Sequence, residues 1–463
     1  MAVPYPYQLI IIGSGPGGTY GAIRAAQLKM KVALIEKDNV GGVCLNKGCI
    51  PSKTLLRSAQ LFELMNESKS FGIRCEKIVL DYALVLDRSL KVMERMSKNL
   101  EFLFKKNKID IFKGRAHLME PHRVLVEPST QLTADRILIA AGSSVKEVPG
   151  FKVDGQFIVT SDEALTQNQV PKSVLVIGGG VLGVEFAYLY RAFGAEVTLL
   201  EAKERLLPSF DAEIGQELER ALKKKGINVL CKTRALRSRV ERSLVRVVYE
   251  DRQHAEKELY ASQVLVGTGR QPVSDGLGLE TLGVQIDQGY VKVGKNFQTS
   301  VPSVYAIGDI IGAPLLAHAA SEQGKVVVEM MAGLRELGID SNQIPSCVYS
   351  HPEVASVGFS EEEAKNAGHS IKVGKFPFRA LGRALVDGNE DGFVKVVVDG
   401  KTGKLLGGQI IGDGATELIA QLTLIKSSGL SVEDVASVVH AYPTLSEAVL
   451  EALLASQKRS FYI

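Results

Sequence analysis

The chain opens on an unbroken apolar run, LIII at Leu9–Ile12, which breaks into glycines and passes into GAIRAAQ. Such a run predicts a buried strand, a glycine turn and a helix packed closely behind it. A second run, KVALIE, predicts the next strand and ends in Glu36. Residues 81–106 hold neither Gly nor Pro and repeat apolar residues three and four apart, as at Leu86, Leu90, Met93, Leu100 and Leu103. That spacing predicts one long amphipathic helix covering a face. Short strands are expected from Ile109 to Val126, then a buried strand in DRILIAAGS that ends at Gly142 and Ser143 and closes the first unit. The pattern then starts again. SVLVIGGGVLGVEFAYLYRAFGAEVTLLE reads strand, glycine turn, helix, strand, and ends in Glu201. ASQVLVGTGRQP repeats the strand-to-glycine ending at Gly267 and Gly269 and closes the inserted unit near Pro272, and SVYAIGDI adds a buried run ending in Gly308 and Asp309. From about Ile344 the pattern changes to alternating strands, GFVKVVVD and LLGGQIIG, and then to helices around ELIAQLTLIKSS and SEAVLEALLAS. This is the signature of a separate α+β domain.

The glycines carry the first chemistry. Gly13, Gly15 and Gly18 stand in the spacing of a dinucleotide loop, and Gly178, Gly180 and Gly183 repeat it. The first glycine permits the tight turn, the second lets a pyrophosphate approach the backbone, and the third lets helix and strand pack. The helix N-terminus behind the loop favours the negative charge. From first glycine to terminal acid is 23 positions in both units, so two like units imply two dinucleotides. The carboxylate of Glu36 suits the two hydroxyls of an unphosphorylated ribose. Glu201 would repel a 2′-phosphate, which favours NAD over NADP; Lys203 and Arg205 count slightly against this, and fit a solvated helix start equally well. Asp309 is placed either to accept a hydrogen bond from a cofactor chain hydroxyl or to cap a helix. The last domain has no glycine loop and reads as a pairing or covering domain.

The stretch Gly41–Lys53, GGVCLNKGCIPSK, carries the second chemistry. Pro51 suits a first helical turn and helix formers follow it, so Cys49 falls at a helix N-terminus, where the dipole and unpaired N–H groups favour a thiolate. Lys53 adds a positive charge one turn on. A bridge between Cys44 and Cys49 would close so short a loop that it would be a poor staple and easy to open, which points to a redox couple. The plain alternative is two reduced cysteines or half of a metal site, and no second Cys or His pair with metal spacing lies nearby. Cys75, Cys231 and Cys347 are scattered singly and read as packing residues.

Composition narrows the class. The 463 residues allow two to four domains with sizeable cores. With 55 basic against 52 acidic residues and no Lys/Arg run, nucleic acid is not an expected partner. The first strand begins almost at the start and no apolar stretch reaches about 18 residues, so neither a targeting peptide nor a membrane span is expected, and a cytoplasmic location is.

Taken together, GGVCLNKGCIPSK, the two glycine loops with their acids, AIGDI, the AH of LLAH and HAYPTLSE resemble the flavin-dependent pyridine nucleotide disulfide oxidoreductases, in order and over the full length. LN after the first cysteine and PSK after the second are similar to the branch that oxidises dihydrolipoyl groups. The resemblance implies an α/β fold with two Rossmann-like dinucleotide-binding domains and a C-terminal α+β dimerisation domain. Its segments would be an FAD domain at 1–145 and 273–343, an NAD domain at 146–272 and the dimerisation domain at 344–463. It also implies a homodimer that serves the lipoyl domain of a 2-oxoacid dehydrogenase or related complex. Cys44 would be the interchange thiol and Cys49 the sulfur against the flavin, with Lys53 near the flavin and paired with Glu185. FAD would be held by Gly13, Gly15, Gly18, Glu36, Lys53, Gly114, Gly142, Ser143, Asp309, Leu315, Leu316, Ala317 and His318. NAD would be held by Gly178, Gly180, Gly183, Glu201 and Gly269.

One position departs from the family. Its catalytic base is a histidine just before the proline of HPTxxE, oriented by the glutamate five residues later and donated by the partner subunit. Here that place is Tyr442, followed by Pro443, with Glu447 at the expected spacing; His440 matches a second histidine of many relatives. A phenol of pKa roughly 10, against about 6.5 for imidazole, is ionised in only about one molecule in a thousand at neutral pH. Loss of the base would slow dihydrolipoyl oxidation by on the order of 10² to 10⁴. The leading expectation is NAD-dependent oxidation of dihydrolipoyl groups through the disulfide and FAD. The alternative is an NADH-dependent reductase of another small disulfide or electrophile, with Tyr442 as acid or hydrogen-bond donor. A third reading is a flavin-loaded binding subunit silenced by Tyr442.

Overall fold

The computed structural model describes residues 5–336 and 338–463. Two compact units emerge, one built from the chain up to Thr54 with Ala83–Lys146 and Gly269–Ile339, the other from Leu55–Tyr82, Glu147–Thr268 and Asp340–Ile463.

The first unit runs through β1 (Tyr7–Ile12), α1 (Pro16–Gln27), β2 (Val32–Glu36), α2 (Gly42–Lys47) and the start of α3 (Cys49–Asn66). It resumes in α4 (Tyr82–Lys106), β3 (Asp110–Lys113), β4 (Ala116–Glu120), β5 (Arg123–Val126) and β6 (Thr130–Ile139). The sheet order is β3-β2-β1-β6, all parallel, with the strand Val304–Ala306 added beyond β6. β6 is long enough to do two things: its later half pairs with β1, and its earlier half pairs antiparallel with β5. Leu9, Ile10 and Ile11 are fully buried, as a parallel strand covered on both faces requires. One face carries α1 and the helix Ala317–Met331 at very close range. A Cβ on Gly324 would lie 2.1 Å from the Gly17 carbonyl oxygen, so two glycines let the backbones meet.

The long helix predicted over 81–106 is present, but its expected apolar stripe is only partly covered. Leu90 and Leu103 are 46% and 37% exposed, and the buried residues are Ser89 and Phe104. The reason is where the helix is anchored. Phe104, in its last turn, enters the core beside Leu9, Ile11 and Leu34, and the preceding turns are less deeply set.

In the second unit a parallel sheet runs in the order Asn228–Leu230, Glu196–Leu200, Ser173–Ile177, Gln263–Val266, Ile158–Val159. The helix Val181–Ala192 behind its glycine loop is buried continuously from Gly183 to Tyr190. The C-terminal layer is a five-stranded antiparallel sheet, ordered Ser346–Val348, Glu353–Gly358, Leu405–Gly412, Phe393–Asp399, Ile371–Pro377. Its core includes Phe376, Val394, Val396 and Ile410 with Ile419 and Leu422 of the helix Ala415–Ser427 and Val449 and Leu453 of Glu447–Ser456. Two dinucleotide-type sheets and a C-terminal α+β layer are thus the architecture expected. Among the described residues no helix is long and apolar enough to cross a membrane, and no group of three or more His, Cys, Asp or Glu could hold a metal ion.

Candidate active site

The two glycine loops have the same backbone logic. Gly13 and Gly178 take φ of 100° and 105°, a region that favours glycine. A Cβ on Gly18 would lie 1.8 Å from the Gly13 oxygen, and one on Gly183 would lie 1.8 Å from the Gly178 oxygen. Gly15 and Gly180 instead have nothing within 4 Å of a would-be Cβ, so open space faces the middle glycine of each loop. Each sits at the N-terminus of its helix, Pro16–Gln27 or Val181–Ala192, where anions are favoured. The terminal acids repeat as well. Glu36 accepts the Ser14 N–H at 2.9 Å and the Asp38 N–H at 2.9 Å. Glu201 accepts the Gly179 N–H at 2.6 Å and the Lys203 N–H at 2.7 Å. Both carboxylates are buried and held from both sides at the strand end. Lys203 is exposed, and Arg205 is only half-buried.

The cysteine stretch folds back beside the first loop. Gly41 and Gly42 both have positive φ and turn the chain into α2, which carries Cys44. Asn46 locks that turn, its side-chain amide donating to the carbonyls of Gly42 and Val40 at 2.8 and 3.0 Å. After Gly48 the chain enters α3 at Cys49 itself, with Pro51 in the first turn. Both cysteines are half-buried. Their side chains meet: a hydrogen bond from Cys49 first, then burial, then the charge of Cys49 push the Cys44 thiol above its ordinary value, and the charge of Lys53 pulls the other way. The two sulfurs are thus in contact, as a thiol exchange pair requires.

Of the other residues expected in the first unit, Gly142 at φ 73° faces open space, and Gly114 receives its place from an N–H bond to the Glu36 carbonyl at 2.9 Å. Asp309 is the second residue of a short 3₁₀ turn, Gly308–Ile311, and makes no cap there. Of the two roles open to it, the cap is not taken: its Oδ2 accepts the Ser143 hydroxyl proton. Arg270 donates to the Ser143 hydroxyl at 2.7 Å and to the Ser143 carbonyl at 2.8 Å, and stands 3.9 Å from Asp309. Gly269, just before it, has φ 116° and open space around it. Leu316 caps the helix Ala317–Met331, which places Ala317 and His318 in its first turn and the exposed Leu315 just ahead. The residues fit a dinucleotide: a glycine cradle with room at its middle, a helix N-terminus, a ribose acid and a second carboxylate on a neighbouring strand end.

In the second unit Glu185 is buried in the helix Val181–Ala192 and accepts the Tyr349 N–H at 3.0 Å. Tyr442 is 73% exposed. Glu447 accepts the Thr444 N–H at 2.9 Å, and among the described residues no hydrogen bond joins it to the Tyr442 hydroxyl. His440 has both ring nitrogens in use. Nδ1 is 2.9 Å from the Val438 carbonyl, so it must donate, and that leaves Nε2 to accept the Gln421 amide at 3.0 Å. The nitrogen that could take a proton is already capped. Asn46 is the asparagine of the LN that follows the first cysteine, but its bonding to the turn was not foreseen. Ser14, Arg270 and Tyr349 were not singled out by the motifs; the partners of Arg270 and Tyr349 lie more than a hundred residues away.

Comparison with known proteins extends this geometry. Residues 7–324 match the pyridine nucleotide-disulphide oxidoreductase family, and residues 344–453 match the dimerisation domain of that family, which supports a homodimer. A dihydrolipoyl dehydrogenase of Bacillus subtilis is 40% identical, covering 98% of this chain and 99% of the relative. One from Chlorobaculum tepidum is 41% identical over 96% of each chain. Among solved structures, LpdA from Mycobacterium tuberculosis matches with TM-score 0.91 and 26% identity, covering 96% of this chain and 99% of that one. The HOCl-induced flavoprotein disulfide reductase RclA from Escherichia coli matches with TM-score 0.86 and 27% identity over 96% and 99%. The chain belongs to the pyridine nucleotide-disulphide oxidoreductases, and it is a flavoprotein enzyme that uses FAD and NAD.

Proposed function

We propose that this chain is a dihydrolipoyl dehydrogenase, oxidising dihydrolipoyl groups with NAD through the Cys44–Cys49 couple. The observation that carries the reading is the contact of the two thiols at the N-terminus of α3, in the unit that holds the first glycine loop. A dihydrolipoyl thiolate attacks Cys44 of the closed pair and Cys49 leaves as thiolate, stabilised by the helix dipole and by Lys53. The second substrate sulfur then displaces Cys44, the lipoyl disulfide departs, and the pair is left as a dithiol. FAD supplies the two-electron relay from sulfur to nicotinamide, chemistry that belongs to the cofactor. Gly13, Gly15, Gly18, Glu36, Gly114, Gly142, Ser143, Asp309 and the Leu315–His318 stretch hold FAD in this reading, and Gly178, Gly180, Gly183, Glu201 and Gly269 hold NAD. Glu185 supports the site. Tyr442, with Glu447 nearby, takes the base position and acts as a hydrogen-bond donor to substrate sulfur. The divisions at 145, 272 and 343 mark the domains. A lipoyl domain is the protein partner and the cytoplasm the compartment, since a couple that must cycle suits a reducing one.

Steady-state turnover with dihydrolipoamide and NAD tests this. Measurable turnover that falls by on the order of 10³ or more in Cys44→Ser and in Cys49→Ser supports it; unchanged turnover in either variant removes it. Tyr442 favours a second reading, reduction of another small disulfide at the expense of NADH. In that case NADH-driven reduction would outrun dihydrolipoamide oxidation on the same preparation.

A further inference from the structure

The two glycine loops differ at one position that matters. The residue after the first glycine is Ser14 in one and Gly179 in the other. Both give their backbone N–H to the terminal acid of their unit. Ser14 adds a hydroxyl that is fully buried and doubly used: it donates to Glu36 Oε2 at 2.6 Å and accepts the Gly41 N–H at 3.0 Å. Gly41 opens the turn that leads into α2 and Cys44. The next residue rests on the glycine loop itself, because a Cβ on Gly42 would lie 2.7 Å from Gly15 Cα. The second loop has no room for such a hydroxyl. A Cβ on Gly179 would come within 2.6 Å of Leu206 and 2.9 Å of Glu201, and no cysteine turn follows Glu201. The hydroxyl is present only where a cysteine turn has to be docked.

We propose that Ser14 is a positioning residue for the cysteine couple. Its hydroxyl ties the ribose acid Glu36 to the Gly41–Gly42 turn and thereby couples dinucleotide binding at the first glycine loop to the dithiol–disulfide equilibrium of Cys44 and Cys49. This rests on the reading of that pair as a redox couple. The physical basis is that a buried N–H and a buried carboxylate share one hydroxyl. Without it, the Gly41 N–H and one acceptor site of Glu36 lose their partner together, and the turn shifts to find others. Coupling of this kind is reciprocal: what holds the turn for the dinucleotide also sets the ease with which the pair closes.

The test uses the purified flavin-loaded dimer and the variants Ser14→Gly, which copies the second loop, and Ser14→Ala. The protein is equilibrated with mixtures of dithiothreitol and its cyclic disulfide, and the closed fraction of the Cys44–Cys49 pair is read by thiol trapping and mass spectrometry. Closing the pair forms one sulfur–sulfur bond and gives up two protons and two electrons, which open the cyclic disulfide to its dithiol. In both variants the dithiol-to-disulfide ratio is expected to move by about tenfold, about 30 mV for this two-electron couple. The FAD dissociation constant is expected to rise by a similar factor, while that of NAD stays as in the parent. Ser14→Cys keeps a weak donor and acceptor and is expected to lie between, which covers the case that Ser14→Gly loses its flavin on purification. An unmoved ratio in Ser14→Ala and Ser14→Gly overturns the proposal, even if FAD binding weakens. A parent protein whose pair never closes overturns the redox reading instead, so the two failures are distinguishable.

Discussion

At the scale of single residues the proposed function puts the question of rate at Tyr442. Tyr442 is exposed and, among the described residues, no hydrogen bond joins its hydroxyl to Glu447; a phenol lacks the basic ring nitrogen that an imidazole offers, and His440 has its accepting nitrogen occupied by Gln421. Tyr442→His is therefore expected to raise dihydrolipoamide turnover by roughly ten- to a hundredfold. The gain should grow as pH rises through about 6.5, since only neutral imidazole accepts the proton. Equal or lower turnover in the variant across that range would show that Tyr442 is no handicap. In the proposed reading Glu201 selects NAD. Glu201→Ala removes the acceptor for a free 2′-hydroxyl and the repulsion of a phosphate, so the ratio of kcat/KM for NAD over NADP should fall by at least about tenfold; an unchanged ratio would place selectivity elsewhere. These residues were legible in the chain because each sits in a short motif with its own chemistry. Partners brought together by folding were not: Tyr349 reaches Glu185 across 164 positions, and Arg270 reaches Ser143 across 127.

At the scale of elements, the strand–glycine–helix–strand units were readable because the spacing itself is the mechanism. In each loop the third glycine faces the first glycine's carbonyl at a distance no side chain tolerates. The obstacle is backbone, so Gly183→Ala is expected to abolish NAD binding while the flavin absorbance per chain stays at the parental level. Gly18→Ala should do the converse and yield protein without flavin. Flavin content and an NAD titration on each variant check this, and normal NAD affinity in Gly183→Ala would contradict the shared geometry. The long helix α4 shows the limit of periodicity. Its extent was read within a residue, yet which side is covered depended on where Phe104 enters the core, and that is set by strands β1, β2 and β6, not by the helix.

At the scale of the whole molecule, the second unit buries one lysine among three carboxylates. Lys395, on the inner sheet strand Phe393–Asp399, is met by Asp211 at 3.2 Å, Glu213 at 2.6 Å and Glu361 at 2.8 Å. Burial alone would lower the Lys395 pKa, but bonds to Glu213, Glu361 and Asp211 more than reverse this and leave it raised. Burial would raise Glu213, and its bonds to Lys375 and Lys395 leave it lowered; Glu361 is lowered by Lys365 and then Lys395. The signs fix the window. The carboxylates contribute fully above their ordinary value of 4.5 and lose that contribution as pH falls through their depressed values. The lysine contributes fully below 10.5 and loses it as pH rises through its raised value. Lys395→Met leaves three carboxylates facing one another and is expected to cost about 3 to 5 kcal/mol in denaturant unfolding at neutral pH. A loss below about 1 kcal/mol would mean that the carboxylates find water instead. Nothing in the chain announced this cluster, because its four members come from three distant segments.

The central claim is that two sulfurs and one flavin act in series, and it is tested most directly by counting electrons. Anaerobic reductive titration of the flavin-loaded enzyme should consume four electrons per chain, two for the flavin and two for the Cys44–Cys49 bond, and two in Cys49→Ser. Uptake of only two electrons by the parent, with the thiols already free before titration, would contradict the account.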